Sequence, residues 1–190
     1  MEMAAIVNHV GVITLGQVID LIEPDARGQD RRTIETKLGR WTLEGIFRVL
    51  GTKVKIGSSR NRVYAFSEVV LMAIAQRLSV YGLHIGAIED ITVALRSRLE
   101  HTPGSNPIDA ALEWIIRGES EASNGWTDYS FLIAFGRVGA SDLWHPIAPK
   151  QVGTSIELDD LASHDLTITL NLRKVLACLR PLLTDDALTK

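Results

Sequence analysis

At 190 residues, with 46% hydrophobic and 23% charged content, the chain can bury one large core or two small ones and is too apolar to be a disordered protein. A formal net charge of −3 excludes a protein that is basic throughout, and a single cysteine, Cys178, excludes an internal disulfide or a thiolate metal cluster. The longest apolar run, Val69 to Ala75, is too short to cross a bilayer. Met3 to Val7 lacks the basic flank and cleavage site of a signal peptide, so the expected location is cytoplasmic, with no membrane partner.

In chain order, Thr14 is suited to cap a short first helix to about Ile22, with Leu15, Val18, Ile19 and Ile22 on one face and Pro24 beyond its end. The polar connection EPDARGQ leads to Asp30, an expected N-cap for a second helix over about residues 30–44, with Ile34, Leu38 and Trp41 on its apolar side. Arg32, Thr33, Thr36, Lys37 and Arg40 gather on the opposite side. Gly39 is a place where this helix would weaken or kink, and Gly45 the next expected stop. From Phe47 to Tyr64 the pattern shifts to short alternation around Gly57, Ser58 and Ser59, predicting a β-hairpin that carries Lys53, Lys55, Arg60 and Arg62.

Ser67 then starts a third helix, Glu68 to Tyr81, apolar on almost every side and stopped by Gly82. A fourth carries Ile85, Ile88, Thr92, Leu95 and Leu99 on one stripe, with Glu89, Asp90, Arg96 and Arg98 off it. The segment HTPGSNP is the expected boundary. Beyond it come a helix over about Pro107 to Arg117, strands at Tyr129–Val138, Leu143–Ile147, Thr154–Leu158 and Leu166–Leu172, and a final helix from Leu172 to Leu183. Cys178 is read as a small apolar residue on a face of that helix.

Charge is placed unevenly along this layout. Residues 25–62 hold ten Lys or Arg against four acids, whereas residues 63–190 hold ten against sixteen. Half the cations in a fifth of the chain make a surface suited to a polyanion. A helix about 10–12 Å across fits the major groove of duplex DNA, and a basic hairpin beside it can reach the phosphates.

Four segments, TLGQVIDLI, RRTIETKLGRWTLEGI, SSRNRVYAFSEVVLMAI and YGLHIGAIEDI, together resemble the MerR-type winged helix-turn-helix transcriptional regulators over roughly residues 12–99. The resemblance implies that Arg31, Arg32, Thr33, Lys37 and Arg40 lie on the recognition helix and that Arg60, Arg62 and Tyr64 lie on the wing. The EPDARGQ connection is longer than the family's tight turn. The long C-terminal dimerisation helix and the cysteine set of the metal-sensing members are both missing. By side-chain chemistry, Arg31, Arg32 and Arg40 suit guanine edges, Lys37, Lys53 and Lys55 suit phosphate, and Thr33 and Thr36 suit either.

The remaining signals are blander. His9, His84, His101, His145 and His164 lack the spacing of a zinc site, and the acidic pairs Glu89-Asp90, Asp159-Asp160 and Asp185-Asp186 point apart on any regular element. Ser141, Asp142, His145 and Asp165 have no nucleophile-elbow sequence to join them into a hydrolase triad. Trp114, Trp126, Trp144 and Tyr129 are read as core residues, with a ligand or partner pocket as the alternative. The expected protein is therefore α+β and not an enzyme. A winged helix-turn-helix domain at 1–100 and a linker at 101–107 precede a small helix-and-antiparallel-sheet domain at 108–190 for dimerisation, effector sensing or protein contact. It would bind double-stranded DNA as a homodimeric transcriptional regulator without a cofactor or metal, with a small-molecule or protein effector on the C-terminal domain. Two other readings stay open: a phage-type or mobile-element DNA-binding accessory protein, and a protein-interaction module.

Overall fold

Thr14 and Gln17 close the first helix by a reciprocal pair of bonds. The Gln17 amide donates to Thr14 Oγ1 at 3.3 Å, and the Thr14 amide donates to Gln17 Oε1 at 2.9 Å, satisfying two donors that a helix start leaves open. In the computed structural model, which describes residues 13–50, 54–56, 59–101, 107–117, 132–137, 144–147 and 166–183, this helix is α1, Leu15–Ile22, with Val18 and Ile19 fully buried. A short strand before it, β1 (Ile13–Thr14), pairs antiparallel with β4 (Val63–Tyr64), a pairing the sequence pattern did not indicate.

Helix α2 spans Gly28–Leu43, so it begins two residues before Asp30, which sits in its first turn instead of capping it. Gly28 adopts φ +54, a left-handed conformation that favours glycine, and the connection from α1 shrinks to Glu23–Arg27. Arg27 Nη1 closes that turn on the carbonyls of Pro24 and Ala26. The helix passes through Gly39 without ending there. It stops at Gly45, φ +88, where the Ile46 amide reaches the Trp41 carbonyl (2.9 Å) and the Gly45 amide the Thr42 carbonyl (3.2 Å). This is a Schellman ending, and Gly82, φ +85, ends the next helix, α3 (Phe66–Val80), with the same pair of bonds.

Between those helices, β2 (Val54–Ile56) and β3 (Ser59–Asn61) form an antiparallel ladder with Lys55 opposite Arg60. Helix α3, Phe66–Val80, starts on the Ala65 carbonyl, which accepts from both Glu68 and Val69. It therefore begins ahead of Ser67, and it is buried on nearly every side. Helix α4, Ile85–His101, buries Ala87, Ile88, Ile91, Thr92, Leu95 and Arg96, while its first residue, Ile85, stays outside the core.

The C-terminal part contains α5 (Pro107–Arg117) and a three-stranded antiparallel sheet ordered β6 (His145–Ile147), β5 (Leu132–Arg137), β7 (Leu166–Asn171). The strand expected at 154–158 lies outside the described residues. In place of one final helix there are three short pieces, α6 (Leu172–Leu176), a 3-10 turn (Ala177–Leu179) and α7 (Arg180–Leu183). Pro181 has no amide to donate to Ala177, whose carbonyl is taken instead by Arg180 in the tighter 3-10 register. Cys178 is half-buried against these pieces, and burial pushes its thiol up to about 11.

The chain is thus α+β, built of helices and small antiparallel sheets. Its buried apolar side chains form one continuous cluster in which α3 is central, reaching from Val18 and Leu38 to Ile108, Leu112, Leu172 and Leu176. No helix among the described residues is long and apolar enough to cross a membrane.

Candidate nucleic-acid interface

The helical period fixes what α2 can show to the outside. With about 100° between successive residues, the face opposite buried Leu38 carries Gln29, Arg32, Thr33, Thr36 and Arg40, all exposed. Lys37 and Trp41 form one edge of that face. Together with Ile85, at the start of α4, these side chains line an open cleft of about 600 Å³ that has no carboxylate in its lining.

Within the cleft the side chains differ in how free they are. Arg32 and Thr36 make no hydrogen bond or ion pair among the described residues. Thr33 donates its hydroxyl to the Gln29 carbonyl at 2.9 Å, the back-bond of a helical threonine. Arg40 Nε meets Glu44 Oε1 at 2.8 Å, one turn along the helix on the surface, a pairing worth about 0.3–0.5 kcal/mol and readily exchanged. The Lys37 ammonium lies 3.2 Å from Ser79 Oγ and 5.4 Å over the Trp41 ring. Burial lowers its pKa, and the charge of Glu23 opposes the shift. Trp41 thereby anchors the helix to the core while its ring steadies a cation at the cleft's edge.

Three predicted contact residues lie elsewhere. Arg31 is turned towards α1, ion-paired with Asp20 and donating to the Gly16 carbonyl at 3.3 Å, and the bond to Asp20 raises its pKa. Arg62 donates from Nη1 to the Gly39 carbonyl at 3.0 Å, so it ties the end of the hairpin to the middle of α2. Tyr64, expected on the wing surface, is 0% exposed and shares a 3.1 Å hydrogen bond with Thr42 Oγ1 in the core. A side chain sealed in this way cannot touch DNA, and its role is to fix β4 to the last turn of α2. Lys53 and the side chains of Lys55 and Arg60 lie outside the described residues.

Just past the C-terminal end of α2 is a polar junction that the sequence pattern left unremarked. Arg96, placed off the apolar stripe of α4, is buried, with Nε 2.9 Å from Glu68 Oε1 and Nη2 3.0 Å from Glu68 Oε2. Nη2 also reaches the Ile46 carbonyl at 2.6 Å, and Glu68 Oε2 accepts from the Arg48 amide at 3.0 Å. The guanidinium and carboxylate therefore satisfy each other and also hold the backbone just after α2 against α3 and α4. Its sequence signal is faint: Arg96 follows Ile88 and Thr92 at i, i+4, i+8, which is core spacing.

In the C-terminal part, Trp144 is buried with its amide 3.3 Å from Asp90 Oδ2, and Arg173 stacks 4.8 Å over the half-buried Trp114 ring. Trp126, Tyr129, Ser141, Asp142 and Asp165 lie outside the described residues. No group of three His, Cys, Asp or Glu suited to a metal occurs among the described residues. No protein-family model and no curated protein matches the sequence.

Proposed function

We propose that this protein is a sequence-specific regulator of transcription that binds duplex DNA in the manner of a winged helix-turn-helix, with α2 in the major groove and the β2–β3 hairpin on the backbone. The observation that carries the reading is the outer face of α2. It gathers Arg32 and Arg40 with two threonines and a glutamine, beside Lys37, in an open cleft with no carboxylate in its lining. Arg32 and Arg40 have the fork that fits guanine O6 and N7, whereas Lys37 supplies a point charge for phosphate. Lys53, Lys55 and Arg60, on or beside the hairpin, would add backbone contacts. Because half-sites are short, the protein would act as a homodimer on a two-fold site, with residues 108–190 supplying the partner or effector contact.

Selection of bound fragments from random duplex DNA at stated salt, with Arg32→Ala/Arg40→Ala as the control, tests this reading. The native protein is expected to enrich a discrete sequence that the control does not retain. Equal recovery by the two proteins would reject it.

A further inference from the structure

The cleft is not uniformly polar. Ile85, the first residue of α4, lies in its lining with 40% of its surface exposed, although it is more than fifty positions from Thr33 in the chain. It is the one aliphatic side chain there, set across from cations that by themselves would suit any phosphate. Thr33 adds to this apolar element. Its hydroxyl hydrogen is committed to the Gln29 carbonyl at 2.9 Å, so it cannot donate to the acceptors that guanine, adenine and thymine present in the major groove. What it offers there is a methyl group and acceptor lone pairs.

Resting on the DNA-binding reading above, we propose that the sequence this cleft reads contains thymine, recognised at its C5 methyl group by the Thr33 methyl and the Ile85 side chain. Thymine is the only base that presents an apolar group in the major groove, and threonine methyls and other apolar side chains are its natural partners. Gln29 lines the same cleft and can bond adenine N6 and N7, so a single T·A pair offers both a polar and an apolar partner. Arg32 and Arg40 serve flanking guanines.

The test uses the duplex recovered in the selection experiment, with each thymine replaced in turn by uracil, which lacks only the methyl. Affinity is measured at constant salt. At one or two positions the native protein should lose about fourfold for each methyl removed. Thr33→Ser, which keeps the hydroxyl and loses the methyl, should bind the thymine and uracil duplexes more nearly alike, and so should Ile85→Ala. Thr33→Val, which keeps the methyl and loses the hydroxyl, should discriminate as the native protein does. Equal affinity for every uracil duplex overturns the inference and leaves DNA binding intact. A uracil penalty that persists unchanged in both Thr33→Ser and Ile85→Ala also overturns it, because the effect then arises in the DNA. If no duplex is retained at all, the DNA-binding reading fails, and this one with it.

Discussion

The outer face of α2 and the junction that follows its C-terminal end use the same chemistry for opposite ends. On the face, Arg32 is unpaired among the described residues and Arg40 meets only Glu44, both out in solvent. In the junction, Arg96 is sealed in the core with its fork bonded to both Glu68 oxygens and the Ile46 carbonyl, and the carboxylate also accepts from the Arg48 amide. Arg31 and Arg62 fall between these extremes, half-buried and committed to Asp20 and to the Gly39 carbonyl. Counting cations along the chain treats Arg31, Arg32, Arg40 and Arg62 as one island of charge. The structure separates those that hold α2 in place from those that α2 holds out, and the second kind depends on the first.

The junction is where that division breaks most severely. Arg96→Ala leaves the Glu68 carboxylate buried without its partner and the Ile46 carbonyl without its donor, and loss of one member of such a pair costs about 3–5 kcal/mol. Urea unfolding is expected to show a loss of that size. The double change Glu68→Leu/Arg96→Met removes both charges and should recover a substantial part of it. A change below about 1 kcal/mol for Arg96→Ala would mean that the guanidinium is not buried.

An intermediate effect is expected at Tyr64. Tyr64→Phe removes only the hydroxyl that meets Thr42 and should lower stability by about 1 kcal/mol. It should leave DNA affinity at constant salt unchanged, because no part of this side chain reaches the surface. A loss of affinity without a loss of stability would return Tyr64 to the wing surface where the MerR resemblance puts it.

Tyr64 also illustrates which parts of the architecture can be read from sequence. Local rules, which act within one turn, were legible: Thr14 as a cap, Gly45 and Gly82 as helix stops, and the i, i+3, i+4 spacing that sends Arg32, Thr33, Thr36 and Arg40 outward. The same spacing puts Arg31 on the Leu38 side of α2, so its inward turn was legible too, although the resemblance and the general affinity of arginine for guanine argued otherwise. Gly39 was misleading, because a glycine's cost to a helix is small beside the burial of Leu38, Trp41 and Thr42 around it. What the sequence hid depends on partners far along the chain. Arg62 finds a carbonyl 23 residues away, Arg96 a carboxylate 28 away, and Tyr64 is buried because β1 pairs with β4 across about fifty residues. No windowed pattern contains such pairs.

The smallest effect on stability belongs to the outer face, and there the comparison becomes sharpest. Arg32→Ala/Arg40→Ala removes two exposed side chains and one surface pairing, so unfolding free energy should move by no more than about 0.5 kcal/mol. If both guanidinium groups replace counterions on DNA, the slope of log affinity against log salt should fall by roughly 2, from a value near −5 if about six cations are engaged. If they bond base edges alone, sequence preference is lost while the slope stays. A fall in stability comparable to that of Arg96→Ala would place Arg32 and Arg40 with the structural arginines, and among the described residues the outer face would then keep only Lys37, itself tied to Ser79 and Trp41.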